Sequence, residues 1–421
     1  MNKFFKNTNF FTIITKLILI ILPFYVILSL ILQNVTGISF IGLFIKEFLL
    51  VLAFLALIYE FIKAKKLPKF DILDYLIFGF FAYGIIITLV NGLGLKSIFY
   101  GGRYDFIFLV AFLIYKHGSQ FLKEKTNKLI ELFLYSASIS LFFGVLVKFT
   151  LKEEYLNLFG FVEYAGNWVY SGGVPNYHGL ENSGIRRFQG ILDGPNMMGF
   201  FLIIYSGFFV YLQKDKKEFY VFLFLAFTSV LLYLTFSRSA ILGVLTSVGV
   251  ILLLNLKYFY KKYKKTFLAI IAILGVLGVV ALSLFSNQLR NIVFRESSTE
   301  GHFSRMKIGI ERFIKKPLGS GLAESGPAFR SIYPEKQNLE GEHYYIPESW
   351  FIQILVEGGI IYFALFLSIL GIISIKLYKK SLTIFGVFLA ILVMNIFLHI
   401  FEATYLSILL FILIGLILYK D

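Results

Sequence analysis

The sequence predicts an all-α, polytopic membrane protein of about twelve transmembrane helices, with two longer loops on the outer side. Three observations predict it. The chain of 421 residues is 58% hydrophobic and 19% aromatic, above the 45–50% apolar content usual for soluble domains. Its apolar residues come in runs of about 18 or more, the length that spans a bilayer, rather than at amphipathic spacing. Its lysines gather in short stretches between those runs, as cytoplasmic loops require.

The spans are expected at 10–32, 39–61, 72–94, 99–116, 129–148, 189–212, 219–236, 239–256, 266–285, 350–375, 382–400 and 403–419. The first run begins near Phe10 and is not followed by a small-residue cleavage site, so it reads as a retained span. The fourth, "SIFYGGRYDFIFLVAFLIYK", is the weakest. Lys3, Lys6, "KAKKLPK", "KHGSQFLKEKTNK", "QKDKK", "KYFYKKYKK" and "KLYKK" fall on one side. That side is the cytoplasm, with both termini in it. The chain then divides into spans one to five (1–148), a first outer loop (149–188), spans six to nine (189–285), a large outer loop (286–349) and spans ten to twelve (350–421).

Cysteine is absent, which excludes disulfides and thiolate metal sites. The net charge of +15 resides in the loops between spans. The bilayer is therefore the expected partner, and nucleic acid is not.

Arginine behaves differently from lysine. Arg103, Arg186, Arg187, Arg238, Arg290, Arg295, Arg305, Arg312 and Arg330 all fall on the outer side, against the positive-inside trend. A codon bias toward lysine explains few arginines inside, but not their gathering outside. A planar, always-charged fork suits phosphate and carboxylate. Arg238 interrupts an apolar stretch from Phe219 to Leu256 whose two flanks are both lysine-rich. The stretch must cross twice, so Arg238 belongs at a tight outer turn rather than in mid-bilayer.

Three further segments carry chemistry. "SGIRRFQGILDGPNMMGF" puts Arg186 and Arg187 ahead of Asp193, Gly194, Pro195 and Asn196. The Gly-Pro pair predicts a helix break, tolerated at membrane depth where it lines a cavity; a plain kink capped by Asp193 is the alternative. Asp193 and Asn196 are the expected site wall. "GHFSRMKIGIERFIKKPLGSG" predicts a short amphipathic helix ended by Pro317, either lying on headgroups or covering a lipid-phosphate site. "GEHYYIPESWFIQILVEGGI" places Glu348 as a helix-start acid or as a general base opposite the arginines, with His343 a second candidate base. Trp168, Tyr170, Tyr177, Tyr344, Tyr345 and Trp350 are candidates to stack on sugars. Away from the outer mouth the spans are expected to be nearly free of ionisable residues, with Lys46, Asp74 and Glu402 near span ends. That weighs against a transporter.

In this order, "RFQGILDGPN", "SRSA", "R…IERFIKKPLGSG" and "ESWFIQILVEGGI" resemble the O-antigen ligase and polysaccharide polymerase superfamily, over residues 185–375. The resemblance implies a GT-C-like, metal-independent, inverting glycosyltransferase with no cofactor. It acts on polyprenyl (undecaprenyl) diphosphate-linked oligosaccharide at the outer face of the bacterial cytoplasmic membrane. An acceptor glycan, a flippase and a chain-length regulator are the implied partners. The diphosphate-binding arginines would be Arg187, with Arg186 beside it, Arg238 and Arg305. Ligases carry a His-Asn pair where this chain has Glu348-Ser349. That departure favours a polymerase of O-antigen, capsule or exopolysaccharide over a ligase acting on lipid A core, with Glu348 and then His343 as the base.

Overall fold

The structure is a computed structural model and describes residues 9–151, 153–160, 162–163, 176–179, 186–213, 218–254, 296–333 and 346–419. Among these the architecture is helical, apart from a two-residue parallel pair of β1 (Val162–Glu163) with β2 (Asn176–Tyr177). The helices are α1 (Phe10–Ile21), α2 (Tyr25–Thr36), α3 (Ser39–Ala64), α4 (Ile72–Val90), α5 (Leu95–Asp105), α6 (Ile107–Gly118) and α7 (Thr126–Leu146). They continue as α8 (Pro195–Leu212), α9 (Glu218–Leu234), α10 (Arg238–Leu254), α11 (Glu296–Lys315), α12 (Gly326–Ile332), α13 (Trp350–Lys380), α14 (Leu382–Phe397) and α15 (Thr404–Tyr419).

Among the described residues, six helical segments are long and apolar enough to cross a membrane. They are Phe10–Thr36, Phe40–Ala64, Ile72–Val90, Thr126–Leu151, Pro195–Leu212 and Trp350–Lys380. The pair α5–α6, bent by 60°, makes a seventh if it is one span. Helices α9, α10, α14 and α15 are apolar but only 16 or 17 residues long, at the short end of the spanning range. All of them fall on expected spans. The expected span at 266–285 lies outside the described residues.

The details depart from the sequence reading in three places. The fourth span is a bent pair rather than one helix. The sixth begins at Pro195, with Gly194 as its N-cap. Proline at the first helical position gives up an N–H that has no intrahelical partner anyway, so the Gly-Pro pair starts this helix instead of breaking it. Residues Phe188 to Leu192 stay non-helical and buried ahead of it. The tenth span runs on to Lys380 and is broken at Gly359, whose φ is 67°. Ser320 N–H donates to Val356 O at 2.9 Å, and Gly321 N–H donates to Glu357 O at 2.8 Å. Ile360 N–H in turn donates to Pro317 O at 2.9 Å. The "PLGSG" turn thus fills the break in α13, and its amides serve backbone carbonyls.

The last helix is the core. Every residue from Thr404 to Ile417 is buried, as an all-round apolar helix must be. It packs on α6, α7, α8 and α13. Helix α10 lies along α14 at close range, where a Cβ on Gly243 would run into Ala390 O. Small residues at such crossings let helix backbones approach. On α3 the side chains of Phe48, Val51, Leu55 and Ile62 are exposed and form a lipid-facing edge.

The spans are less free of ionisable groups than expected. Lys46, Asp74, Asp105, Lys116 and Glu357 are buried. Asp105 ends α5 at its bend and accepts from Gln353 Nε2 at 3.3 Å and Tyr362 OH at 3.1 Å. Glu357 stands beside the break in α13 and accepts from Ser325 N–H at 3.3 Å. Hydrogen-bond donors of this kind offset the cost of a buried carboxyl in a membrane interior. Lys116 sits between Asp71 (2.6 Å) and Asp74 (2.7 Å).

Candidate functional site

The turn that joins α9 to α10 is built from Thr235, Phe236 and Ser237, and Arg238 is the first residue of α10. Phe236 is left-handed, with φ 49°, a conformation that costs a non-glycine residue free energy. Arg187 holds it there. Its Nε donates to Thr235 O at 2.8 Å, and its Nη2 donates to Asn196 Oδ1 at 3.0 Å and to Phe236 O at 3.3 Å. Phe188 N–H adds a bond to Leu234 O at 2.8 Å. The segment before α8 therefore straps the turn that presents Arg238.

Helix α11 closes the other side. Met306 and Ile308 pack on Ile352 and Val356 at the start of α13, while Phe303, Ile310 and Ile314 stay exposed. Between α11 and the α9–α10 turn lies an open cavity of about 290 Å³. Arg187, Asn196, Arg238 and Ser239 line one wall, and His302, Phe303 and Met306 line the facing one. Phe397 and Leu398, from the end of α14, complete it.

Behind His302 stands Glu348. Its carboxylate is bracketed: Arg305 Nη1 donates to Oε1, and His302 Nδ1 lies 3.1 Å from Oε2. Its own N–H donates to His399 Nε2 at 3.0 Å. An accepting nitrogen carries no proton, so His399 is neutral; burial, which draws it down to about 4, agrees. Burial alone would raise Glu348, but the neighbouring His302 and Arg305 charges outweigh it and hold the carboxyl at about 2. Arg305 is the permanent one of those charges. Glu348 is also left-handed, with φ 53°. Ser349, not Glu348, caps α13 by accepting from Ile352 N–H. The helix-start reading of Glu348 is thereby corrected: the residue lies outside the helix, turned toward α11.

The structure brings Arg187, Arg238 and Asn196 to one cavity, with Arg305 and Glu348 directly behind its His302 wall. It does not place Arg186 or Asp193 on that wall. Arg186 bridges Gly179 and accepts from Lys148 Nζ at its carbonyl, 2.8 Å. Asp193 accepts from Tyr405 OH at 2.7 Å. Trp350 is fully buried against Phe108 and Phe401, which removes it from the candidate sugar platforms. His343, Trp168, Tyr170, Tyr344 and Tyr345 lie outside the described residues, as do Arg290 and Arg295. Tyr177 lies in β2.

His302 is the residue that sequence reasoning put on the outer side, with His178, His343 and His399, but gave no role. Its signal was present: it stands three residues before Arg305 and four before Met306, on one helical face.

Residues 221–367 match the family model described as O-antigen ligase. The matched stretch begins within α9 and ends within α13, so it contains Arg238, His302, Arg305 and Glu348. No curated protein matches the chain.

Proposed function

Because residues 221–367 match the family model described as O-antigen ligase, we propose that the chain is a multi-pass glycosyltransferase of the bacterial inner membrane, of the O-antigen ligase and polysaccharide polymerase superfamily. In this reading twelve spans leave both termini in the cytoplasm. The cavity opens outward, and residues 149–188 and 286–349 form the two outer loops of a GT-C-like enzyme. Its donor is an oligosaccharide on polyprenyl (undecaprenyl) diphosphate, and its acceptor is a growing glycan. A flippase would deliver the donor, and a chain-length regulator would act on the product.

One observation carries this reading: Arg187 and Arg238, from separate segments, share a cavity with Asn196 and His302. A sugar on a diphosphate has a good leaving group once that charge is neutralised. Fixed guanidinium groups do this without a metal when they are aimed at the departing oxygens. Arg238 is the principal diphosphate ligand. Arg187 positions its turn and adds charge, and Arg305 supplies charge from the opposite side with Glu348 beside it. Attack from the face opposite the diphosphate inverts the anomeric centre. Arg186 and Asp193 shape the segment that holds Arg187.

Polymerisation is favoured over ligation because Glu348-Ser349 stands where ligases carry His-Asn. The description of the matched family, O-antigen ligase, favours the second reading, transfer of finished glycan to lipid A core or a similar acceptor. The test uses purified protein in nanodiscs with a polyprenyl diphosphate-linked repeat. A ladder of lipid-linked chains supports the polymerase. Transfer only to added lipid A core supports the ligase. Wild-type protein that releases no polyprenyl diphosphate with either acceptor overturns the glycosyltransferase reading.

A further inference from the structure

Glu348 is a poor proton acceptor. Arg305 donates to one of its oxygens and His302 Nδ1 stands at ion-pair distance, 3.1 Å, from the other, and a carboxylate so stabilised gains little by taking a proton. The cavity wall itself carries a better one. His302 Nδ1 is buried against Glu348, 3.1 Å from Oε2, while the side chain as a whole remains 33% exposed. His302 lines the same cavity as Arg187 and Arg238. A carboxylate at one imidazole nitrogen keeps the proton there and leaves the other nitrogen basic. Glu348 is in turn fixed by its N–H bond to His399.

We infer that His302 is the general base for the acceptor hydroxyl, with Glu348 as its positioning carboxylate. The inference rests on the glycosyl-transfer reading above. In the step, the acceptor oxygen forms a bond to the anomeric carbon as its proton passes to His302 Nε2. The bond from the anomeric carbon to the diphosphate oxygen breaks, and its electron pair leaves with the diphosphate. The groups that set the protonation of His302 are Glu348 from the α13 approach, Arg305 on its own helix, His399 from beyond α14, and Arg187 and Arg238 across the cavity. The base thus comes from α11, while the position ahead of α13 supplies the group that orients it.

The test compares wild type, His302→Gln, His302→Ala and Glu348→Gln in nanodiscs, on a polyprenyl diphosphate-linked repeat with an acceptor glycan. General-base removal costs about 10²–10⁴-fold, so His302→Gln should lose kcat by at least about 100-fold, with KM for the donor changed less than about threefold. The fall in wild-type kcat toward acid pH should be missing from the residual activity of that variant. Added imidazole should restore part of the activity of His302→Ala. Glu348→Gln should lower kcat about tenfold, with KM for the donor changed less than about threefold. Wild-type kcat in His302→Gln, or a loss confined to KM, overturns the assignment and leaves the glycosyltransferase reading standing. Failure of the wild type to release polyprenyl diphosphate defeats the underlying reading instead.

Discussion

The guanidinium of Arg187 donates to the backbone carbonyl of Phe236 at 3.3 Å, across 49 residues of chain. With its bonds to Thr235 O and Asn196 Oδ1, this contact fixes a left-handed residue immediately before Arg238. Two arginines that the sequence places on one side are therefore linked mechanically. One holds the turn from which the other projects.

This linkage separates the two residues experimentally. Charge-assisted hydrogen bonds contribute about 1.5–3 kcal/mol each, and removing one partner leaves the buried carbonyls unpaired. Arg187→Ala should lower the thermal midpoint of the purified protein by several degrees and weaken donor binding as well. Arg238→Ala should have the smaller effect on melting and the larger effect on turnover, a loss of about 10²–10³ in kcat by comparison with other fixed donors to developing negative charge. Thermal melts and turnover measured on the same preparations check both.

Arg238→Lys distinguishes a fork from a point charge. Lysine keeps the charge but loses bidentate geometry. Turnover should fall by at least about tenfold, and added salt should not recover it. Wild-type turnover in this variant would mean that the charge alone suffices.

The "PLGSG" turn is expected to act on stability rather than on donor affinity, because its amides bond to Val356 and Glu357. Gly319 has φ 106°, and a Cβ there would lie 2.6 Å from Glu357 O. Gly319→Ala should destabilise by about 1–3 kcal/mol through strain alone. Thermal melting should show the loss, while the Kd for the donor in the folded fraction stays near wild type. A weakened Kd with an unchanged melt would instead mark the turn as a phosphate cradle.

Two carboxyls give stability opposite pH dependences. Glu348 is held at about 2, below its ordinary 4.5. Its contribution is complete above about 4.5 and is lost as pH falls toward 2. Glu402 is pushed up to about 7, chiefly by burial. The native state binds its proton more tightly, so that contribution is complete below about 4.5 and is lost as pH rises through 7. Melting curves from pH 2 to 8 should show Glu402→Gln flattening the decline on the alkaline side. Glu348→Gln should remove part of the acid sensitivity below 4.5.

Much of this fold was legible in order. Uninterrupted apolar runs mark helices because backbone polar groups in a bilayer must pair within the segment. Lysine-rich flanks on both sides of Phe219–Leu256 required a turn between them, and Ser237 and Arg238 lie there. The periodicity of Met306, Ile308 and Phe313 marked α11, and Pro317 marked its end. The resemblance of the ordered motifs matches the family found at residues 221–367.

The site is a different matter, because its geometry rests on contacts far apart in the chain. The Gly-Pro pair reads equally as a break or a beginning until Gly194 is seen to cap α8. The "GSG" stretch reads as a loop until it meets the break at Gly359, where the N–H groups of Ser320 and Gly321 donate to the carbonyls of Val356 and Glu357. His302 reads as an incidental histidine until α11 docks through Met306 and Ile308 on α13 and sets its rotation, bringing the imidazole to Glu348. Local periodicity determines that a helix forms and which stripe is apolar. Which neighbour that stripe meets, and so which polar groups share a cavity, is decided only when distant segments pack. On that level the tertiary structure placed Arg187 at the turn of Arg238 and His302 between Glu348 and the cavity.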